Sequence, residues 1–406
     1  MVAALEGIRV LDMTIWQQGT YSTVMLADLG ADVIKIEGPD TPDPGRGLGA
    51  MTSEAHLSAY FESHNRSKRG IVIDLKRPEG QQVLHRLAEG ADVFVSNMRR
   101  TALVRIGADF DSISRANPQI IYAIASGYGP QGPDSDVGSM DIMAQARGGL
   151  MSVTGGPDDF PLPAGVPLAD HVGAMSMAFG IMVALYHRQR TGEAQQVDAS
   201  LLAGQLCIQS FNITGSLFNA NRVPARRRRA GSNPTWNVYR ASDGKCLVIG
   251  MNQDRYWPGI CEVIGKPEWL TDERFSGLRA RMQNAEALFA ALDEVFASKT
   301  ADEWVRLFTE ADLLAARVND YAEVASDPQN LVNGYIAEVE RGDGEPPVKM
   351  VGPPVIFSKT PARIRHLSPE FGQHTEEVLL EAGYTWPELE ALRSAGVIGA
   401  RAAATS

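Results

Sequence analysis

The first forty residues constrain the fold more than any other stretch. Ile8-Arg9-Val10-Leu11-Asp12-Met13 is a short apolar run of the kind that forms a buried strand. Tyr21 to Leu29 follows with helical spacing, and Gly30 stands where a helix closes in a left-handed turn. Val33-Ile34-Lys35-Ile36 is a second apolar run. Strand, helix and strand at this spacing make a βαβ unit. The loop Thr14 to Gly19 then lies at the carboxyl end of the first strand, where open α/β sheets bind their ligands.

The alternation continues. Ile71-Val72-Ile73 reads as a strand, Pro78 to Ala88 as a helix with proline at its start, and Ala91 to Val95 and Ile120 to Ala125 as further strands. The expectation is an α/β protein whose large domain, residues 1–220, is a doubly wound parallel sheet. Composition shifts near Asn221, where Arg222 and Arg226-Arg227-Arg228-Arg229 form a basic run. Trp236 to Arg240, the turn Asp243-Gly244 and Cys246 to Ile249 give a hairpin signal. Helical stretches follow at Tyr256 to Ile264, Asn284 to Phe296 and Ala301 to Glu310, so residues 226–327 read as a smaller α/β domain. Residues 328–406 are expected to return to the large domain. They start with a connector rich in glycine and proline, Gly342 to Pro354. A strand-like Val355-Ile356-Phe357, the helix Thr375 to Gly383 and a small-residue tail at Ala402 follow.

The 406 residues are 44% hydrophobic and 21% charged, ordinary for a globular chain with a sizeable core. A net charge of −11 argues against nucleic acid or an anionic membrane as a partner, while leaving room for a small anion in a local basic pocket. Cys207, Cys246 and Cys261 are widely spaced and form no metal or redox motif, which suits a reducing cytoplasm. No signal peptide is expected at Met1. The most apolar stretch, Val172 to Tyr186, reads as a buried helix too short to span a bilayer.

A dinucleotide site is the first candidate for such a start. Glu37 ends the second strand, where a ribose-binding acid would sit, but the first loop lacks the glycine fingerprint. Its Gln17 and Gln18 instead offer uncharged donors and acceptors suited to a carbonyl or a phosphoester, unless both simply face solvent. Arg66, Lys68, Arg69, Lys76, Arg77, Arg99, Arg100 and Arg105 form clusters, several of which follow strand ends, and suit a polyphosphate, or else a solvated surface. Ser126 lies in a loop that is not a nucleophile elbow. No histidine or carboxylate spacing resembles a metal site. His171 and His374 read as structural or orienting. Asp170 ends a Pro/Gly-rich loop, Leu162 to Ala169, ahead of a small-residue helix. It is read either as a helix N-cap or as a nucleophile kept ionised by the helix N-terminus.

The chain resembles the class III CoA-transferases, the superfamily of formyl-CoA transferase, carnitine-CoA transferase and α-methylacyl-CoA racemase. The likeness covers almost the full length. It rests on Leu5-x-Gly7-Ile8-Arg9-Val10-Leu11-Asp12, on Leu29-Gly30-Ala31-Asp32 through Glu37, and on Asn65-Arg66-x-Lys68-Arg69 with Asp74-Leu75-Lys76. Ser126-Gly127-Tyr128-Gly129-x-x-Gly132-Pro133, the Asp170 segment, Thr191-Gly192-Glu193 and Gly372-Gln373-His374-Thr375 complete it. The resemblance implies that Asp170 is the nucleophile and that Gln17 supports it. It implies CoA contacts from Gln17 and Gln18, from Ile73, Asp74, Leu75 and Lys76, from Asn97, Met98 and Arg99, from Arg105, and from Met140 and Asp141. It further implies an interlocked homodimer, with acyl-CoA and a small carboxylic acid as partners, no tightly bound cofactor and no metal.

The implied reaction is acyl-CoA:carboxylate CoA transfer through aspartyl anhydride and aspartyl-CoA thioester intermediates on Asp170. Uncharged donors such as Gln17 can steady an oxyanion without neutralising the carboxylate. Alternatives are an acyl-CoA racemase or isomerase, and a non-catalytic CoA-binding protein. Met140 stands where the racemases carry a histidine, and methionine cannot exchange a proton. Ala230 to Pro234 has a single glycine where formyl-CoA transferases carry a glycine-rich loop, which points to another acid, a dicarboxylate or a bulkier acyl group.

Overall fold

The computed structural model describes residues 2–49, 57–155, 160–219, 228, 233–342 and 344–399. The chain divides into two compact units. The larger comprises Met1–Leu150, Pro163–Ala220 and Pro328–Ser406; the smaller comprises Met151–Leu162 and Asn221–Asp327.

The larger unit is built on six strands: β1 (Arg9–Met13), β2 (Asp32–Glu37), β3 (Arg69–Val72), β4 (Val93–Ser96), β5 (Ile121–Ser126) and β6 (Gln196–Ser200). They pair in the order β3-β2-β1-β4-β5-β6, every neighbour parallel. The order reverses between β1 and β4, and the crevice at that reversal is where such sheets take ligands. Helices α1 (Gln18–Asp28), α2 (Ala59–Asn65), α3 (Pro78–Glu89), α4 (Arg100–Arg105), α5 (Phe110–Ala116), α6 (Asp141–Arg147), α7 (Leu168–Thr191), α8 (Leu201–Ile208) and α9 (Ser210–Asn219) complete this part.

Strand alternation explains why both faces are covered. Val10, Val33, Val93 and Ile121 point to one side, where Leu26, Met177 and Ile181 cover them. Leu11, Ile34, Ile71, Phe94 and Tyr122 point to the other, against Leu84, Leu87, Val378 and Leu379. Strands buried on both faces read as unbroken apolar runs, which is why β1, β2, β4 and β5 are legible in the sequence. The sixth strand is not: Gln196-Val-Asp-Ala-Ser is polar because it is an edge strand, paired with β5 alone.

Two readings are corrected. The apolar helix α7 is 24 residues, not a short stretch, and is long and apolar enough to cross a membrane by length and composition. Its Gly173, Ala174, Met177, Ala178 and Ile181 are buried, so one face belongs to the core of the larger unit. Val355 to Phe357 is not a strand but exposed chain. The strands there are Ile336–Val339 and Val348–Val351, an antiparallel pair whose connection uses the start of the Gly/Pro-rich stretch. A further helix, Trp386–Ser394, follows Thr375–Glu381.

In the smaller unit, β7 (Trp236–Arg240), β8 (Cys246–Gly250) and β9 (Ala315–Arg317) form an antiparallel sheet in that order. Trp257, Phe289, Phe296, Trp304 and Phe308 pack with Tyr239, Leu247 and Ile249 into its core. Arg222, Arg226, Arg227, Arg229, Ala230, Gly231, Ser232 and the tail at Ala402 lie outside the described residues.

Beneath the β1 loop sits a fully buried charge network. Lys68 Nζ donates to Asp12 Oδ2 at 2.8 Å, to Thr20 O at 2.9 Å and to Asn65 Oδ1 at 3.0 Å. Lys35 Nζ donates to Asp43 Oδ2 and to Thr14 O, each at 2.8 Å. Removing one partner of such a pair strands a buried charge. Lys68→Ala is therefore expected to cost about 3–5 kcal/mol in urea unfolding, while Arg306→Ala at the exposed Arg306–Glu310 pair costs under about 0.5 kcal/mol. Equal small effects would mean the buried pair is not integral to the fold.

Candidate active site

The site forms where the loops after β1 and β4 meet. Asn97 ties them together: its Oδ1 accepts from Ile15 N at 3.0 Å and its Nδ2 donates to Ile15 O at 2.6 Å. Trp16, next along, has φ +62°, a left-handed conformation that costs a non-glycine residue on the order of 1–3 kcal/mol. It is held there by Asp43, which accepts from Trp16 N at 3.3 Å, and by the Thr20 hydroxyl, which donates to Trp16 O. The turn delivers Gln17 to the N-cap of α1.

Gln17 and Gln18 are both buried, so neither faces bulk solvent. Gln18 Nε2 donates to Ala199 O at 2.9 Å, and its amide lies over Gly173 of α7, where a Cβ would meet Nε2 at 2.7 Å. Gln17 Nε2 lies 3.2 Å from His171 Nδ1, which is also 3.1 Å from Pro167 O. One ring nitrogen cannot accept from Gln17 and donate to Pro167 at once, so the tautomer of His171 decides which bond is made. His171 in turn packs on Tyr21 and His64, with ring centroids 4.7 and 6.1 Å apart.

Asp170 is the third residue of α7, not its N-cap. Pro167 holds the cap position, and no side chain of its own caps the helix there. The helix's first N–H groups are taken by another carboxylate: Asp141 Oδ1 accepts from Ala169 N at 2.6 Å and from Asp170 N at 3.2 Å. Burial, with the Asp141 charge beside it, pushes Asp170 up to about 7. The expectation was that the helix N-terminus keeps Asp170 ionised; instead burial raises it above the usual carboxylate range, and the nearby helix N–H groups are taken by Asp141 rather than by Asp170 itself.

Asp170, Gln17, Gln18, Asn97, Met98, Arg99 and Met140 line one cavity of about 520 Å³. Ile73, Asp74, Leu75, Lys76 and again Met98 line a second of about 540 Å³. Ile15 and Met98 belong to both, so the two are lobes of one trough. Arg105 lies outside both linings, exposed on the last turn of α4 beside Ile106, which lines the second lobe. Asp141 also lines neither: its carboxylate is spent on the start of α7 and on Gln145. Met140 is about half exposed in the first lobe and offers no base.

The cations divide sharply. Arg66 pairs with buried Asp28, Lys68 with Asp12, and Arg69 with Asp32, Glu377 and Glu381. Arg100 pairs with Asp198, which also accepts from Ser126, and Arg77 donates to Ala395 O. These hold the fold. Lys76, Arg99 and Arg105 have no ion pair among the described residues. Glu37 is occupied by Arg46 and by Asp43 N, not poised for a ribose. His374 Nδ1 accepts from Gly70 N at 3.1 Å. Among the described residues, no group of three or more His, Cys, Asp or Glu is arranged to hold a metal ion.

The buried network beneath the loop was missed by sequence reasoning. Its one sequence signal is two lysines with an aspartate inside or beside apolar strand segments, where a charge has no place unless paired.

A sheet with this order and a trough at its switch point has close parallels. The chain matches CoA-transferase family III over residues 5–375 and belongs to that family. It is 33% identical over 388 residues to a succinate–glutarate CoA-transferase of Agrobacterium fabrum, covering 93% of this chain and 95% of that one. It is 30% identical over 421 residues to a formyl-CoA:oxalate CoA-transferase of Afipia carboxidovorans, covering 98% of each. A CAIB/BAIF family protein from Brucella suis superposes with a TM-score of 0.84 at 29% identity, over 94% of this chain and 100% of that one. The protein is a CoA-transferase, and CoA thioesters are its co-substrates.

The raised Asp170 pKa carries a stability consequence. The folded chain keeps this proton up to about pH 7, whereas an unfolded aspartate releases it near 3.8. Between those values the folded state binds more protons, so this group's contribution to stability falls as pH rises. Asp170→Asn is expected to stabilise the protein by about 2–4 kcal/mol at pH 8 and to change little at pH 4, read by urea unfolding. A gain equal at both pH values would show that the buried charge is not the cause.

Proposed function

We propose that this enzyme transfers CoA between carboxylic acids through covalent intermediates on Asp170. The observation carrying this is a carboxylate that no donor among the described residues reaches, lining a trough at the switch point of the sheet. A carboxylate oxygen of Asp170 attacks the thioester carbonyl carbon, the carbon–sulfur bond breaks, and CoA leaves as thiolate. The thiolate attacks the aspartyl carbonyl of the resulting anhydride and expels the donor acid, leaving an aspartyl-CoA thioester. The acceptor carboxylate attacks that thioester, forming a second anhydride and freeing the thiolate. The thiolate then attacks the acceptor's carbonyl, producing the new acyl-CoA and restoring Asp170.

Gln17 is well placed to donate to the developing oxyanion, since its amide lies in the same lobe and carries no charge to blunt the nucleophile. Lys76, Arg99 and Arg105, which have no ion pair among the described residues, are available for CoA phosphates, and Ile73, Leu75 and Met98 supply apolar walls for its remainder. Asn97 supports the site by joining the two loops. A racemase would need a second base where Met140 stands. The free thiols Cys207, Cys246 and Cys261 suit a reducing compartment, and the cytoplasm is the location this reading assigns.

We also propose a homodimer, interlocked as the family resemblance implies. Helix α7 buries one side and exposes Met175, Phe179, Val183 and Tyr186 along the other; Phe211, Leu217 and Phe218 of α9 are more than three-quarters exposed. Apolar surface of this extent marks an interaction face. Light scattering is expected to return twice the 43.9 kDa chain mass; a single-chain mass would sink this part. Asp170→Ala is expected to lower CoA exchange on the order of a thousandfold or more. Hydroxylamine, added with an acyl-CoA donor, should leave a mass change at Asp170. Full exchange in the alanine variant would overturn the covalent reading.

A further inference from the structure

The third position of a helix is a poor place for a strong carboxylate nucleophile. Free N–H groups and the positive end of the helix stabilise the charge there and lower its basicity. In α7 that effect is redirected. Asp141, the first residue of α6, reaches across and accepts from Ala169 N and Asp170 N with one oxygen. Its other oxygen accepts from Gln145 Nε2 at 2.5 Å. Gln145, fully buried one turn further along α6, also accepts from Ala164 N at 2.8 Å. One clamp thus grips both the loop entering α7 and the helix's first turn.

We infer that Asp141, steadied by Gln145, is a positioning residue for Asp170: it takes the helix's first N–H groups for itself and leaves the Asp170 carboxylate bare and facing the trough. This rests on the reading of Asp170 as the nucleophile. The clamp also places a like charge beside it. Its effect is not duplicated by the other groups around Asp170. Tyr60 of α2 is held protonated by burial and by the Asp170 charge. His64, behind it, is pushed down to about 4 by burial and stays neutral near pH 7. Gln17, at the N-cap of α1, and Gln18, its first residue, carry no charge, and His171 on α7 turns its Nδ1 to Gln17 and Pro167. Among the described residues, Asp141 is the charge that raises Asp170, after burial itself. The result is a more basic, less solvated carboxylate, which attacks a thioester more readily once ionised.

The test uses the full-length enzyme with succinyl-CoA as the probe. The rate of adduct formation at Asp170 is followed by intact-protein mass spectrometry across pH, and CoA affinity is measured separately. In the wild type the acid limb of the rate profile is expected near neutrality. In Asp141→Asn it is expected to move to lower pH, with the alkaline plateau reduced several-fold and CoA affinity little changed. Asp141→Glu keeps the charge and is expected to restore the wild-type limb. A merely structural Asp141 would alter amplitude or affinity and leave the limb in place. Should Asp141→Asn not fold, the wild-type limb and the glutamate variant decide. A wild-type limb in the ordinary aspartate range, a limb displaced in the glutamate variant, or an unmoved profile in the asparagine variant overturns the role of Asp141. Absence of any adduct in the wild type overturns the nucleophile itself.

Discussion

Asp12 is the interaction on which the larger unit turns. It sits on β1 with no exposed surface, and burial alone would drive its carboxyl to the neutral form. Lys68 and Lys35 reverse that and hold it below the usual carboxylate range. Thr14 and Thr23 donate to the same carboxylate, so β1, its loop, α1 and the start of β3 are tied to one charge. Such an arrangement adds little net stability over apolar packing, yet it permits few alternatives, since any other geometry would leave a charge buried and unpaired.

Charge is used twice in this protein, with opposite outcomes. In the network around Asp12 every carboxylate has a cation, and the groups are silent. At the start of α7 two carboxylates, Asp141 and Asp170, adjoin with no cation paired to either among the described residues, and one of them accepts from the backbone donors. The first pattern satisfies every charge; the second leaves a carboxylate raised above its usual range, which is what the proposed nucleophile requires. The contrast between paired and unpaired cations repeats it: Arg66, Lys68 and Arg69 are spent on the fold, while Lys76 and Arg99 are left to the trough.

Much of the sheet could be read in advance because burial on both faces writes strands as apolar runs. Residues 9–13, 32–37, 93–96 and 121–126 declare themselves in this way. The polar edge strand Gln196–Ser200 does not, and neither does Ala315–Arg317, three residues long. The apolar segment around Val172 to Tyr186 declared a helix but not its length, because the flanking Leu168 to His171 and His187 to Thr191 are polar enough to pass for loop. Cation clusters after strand ends were legible as clusters, but whether each faced a ligand or a buried carboxylate depends on partners tens to hundreds of residues away.

The sequence by itself determined the parallel α/β class and the loop carrying Gln17 at a strand's carboxyl end, which depend on local periodicity and on residue type. For Asp170 the local pattern left a cap and a nucleophile both open, and only the family resemblance favoured the second. Only the tertiary structure decided the state of Asp170, because the group that takes its helix donors, Asp141, is 29 residues upstream on a different helix. Desolvation and long-range charge are properties of packing, and no local pattern of residues encodes them.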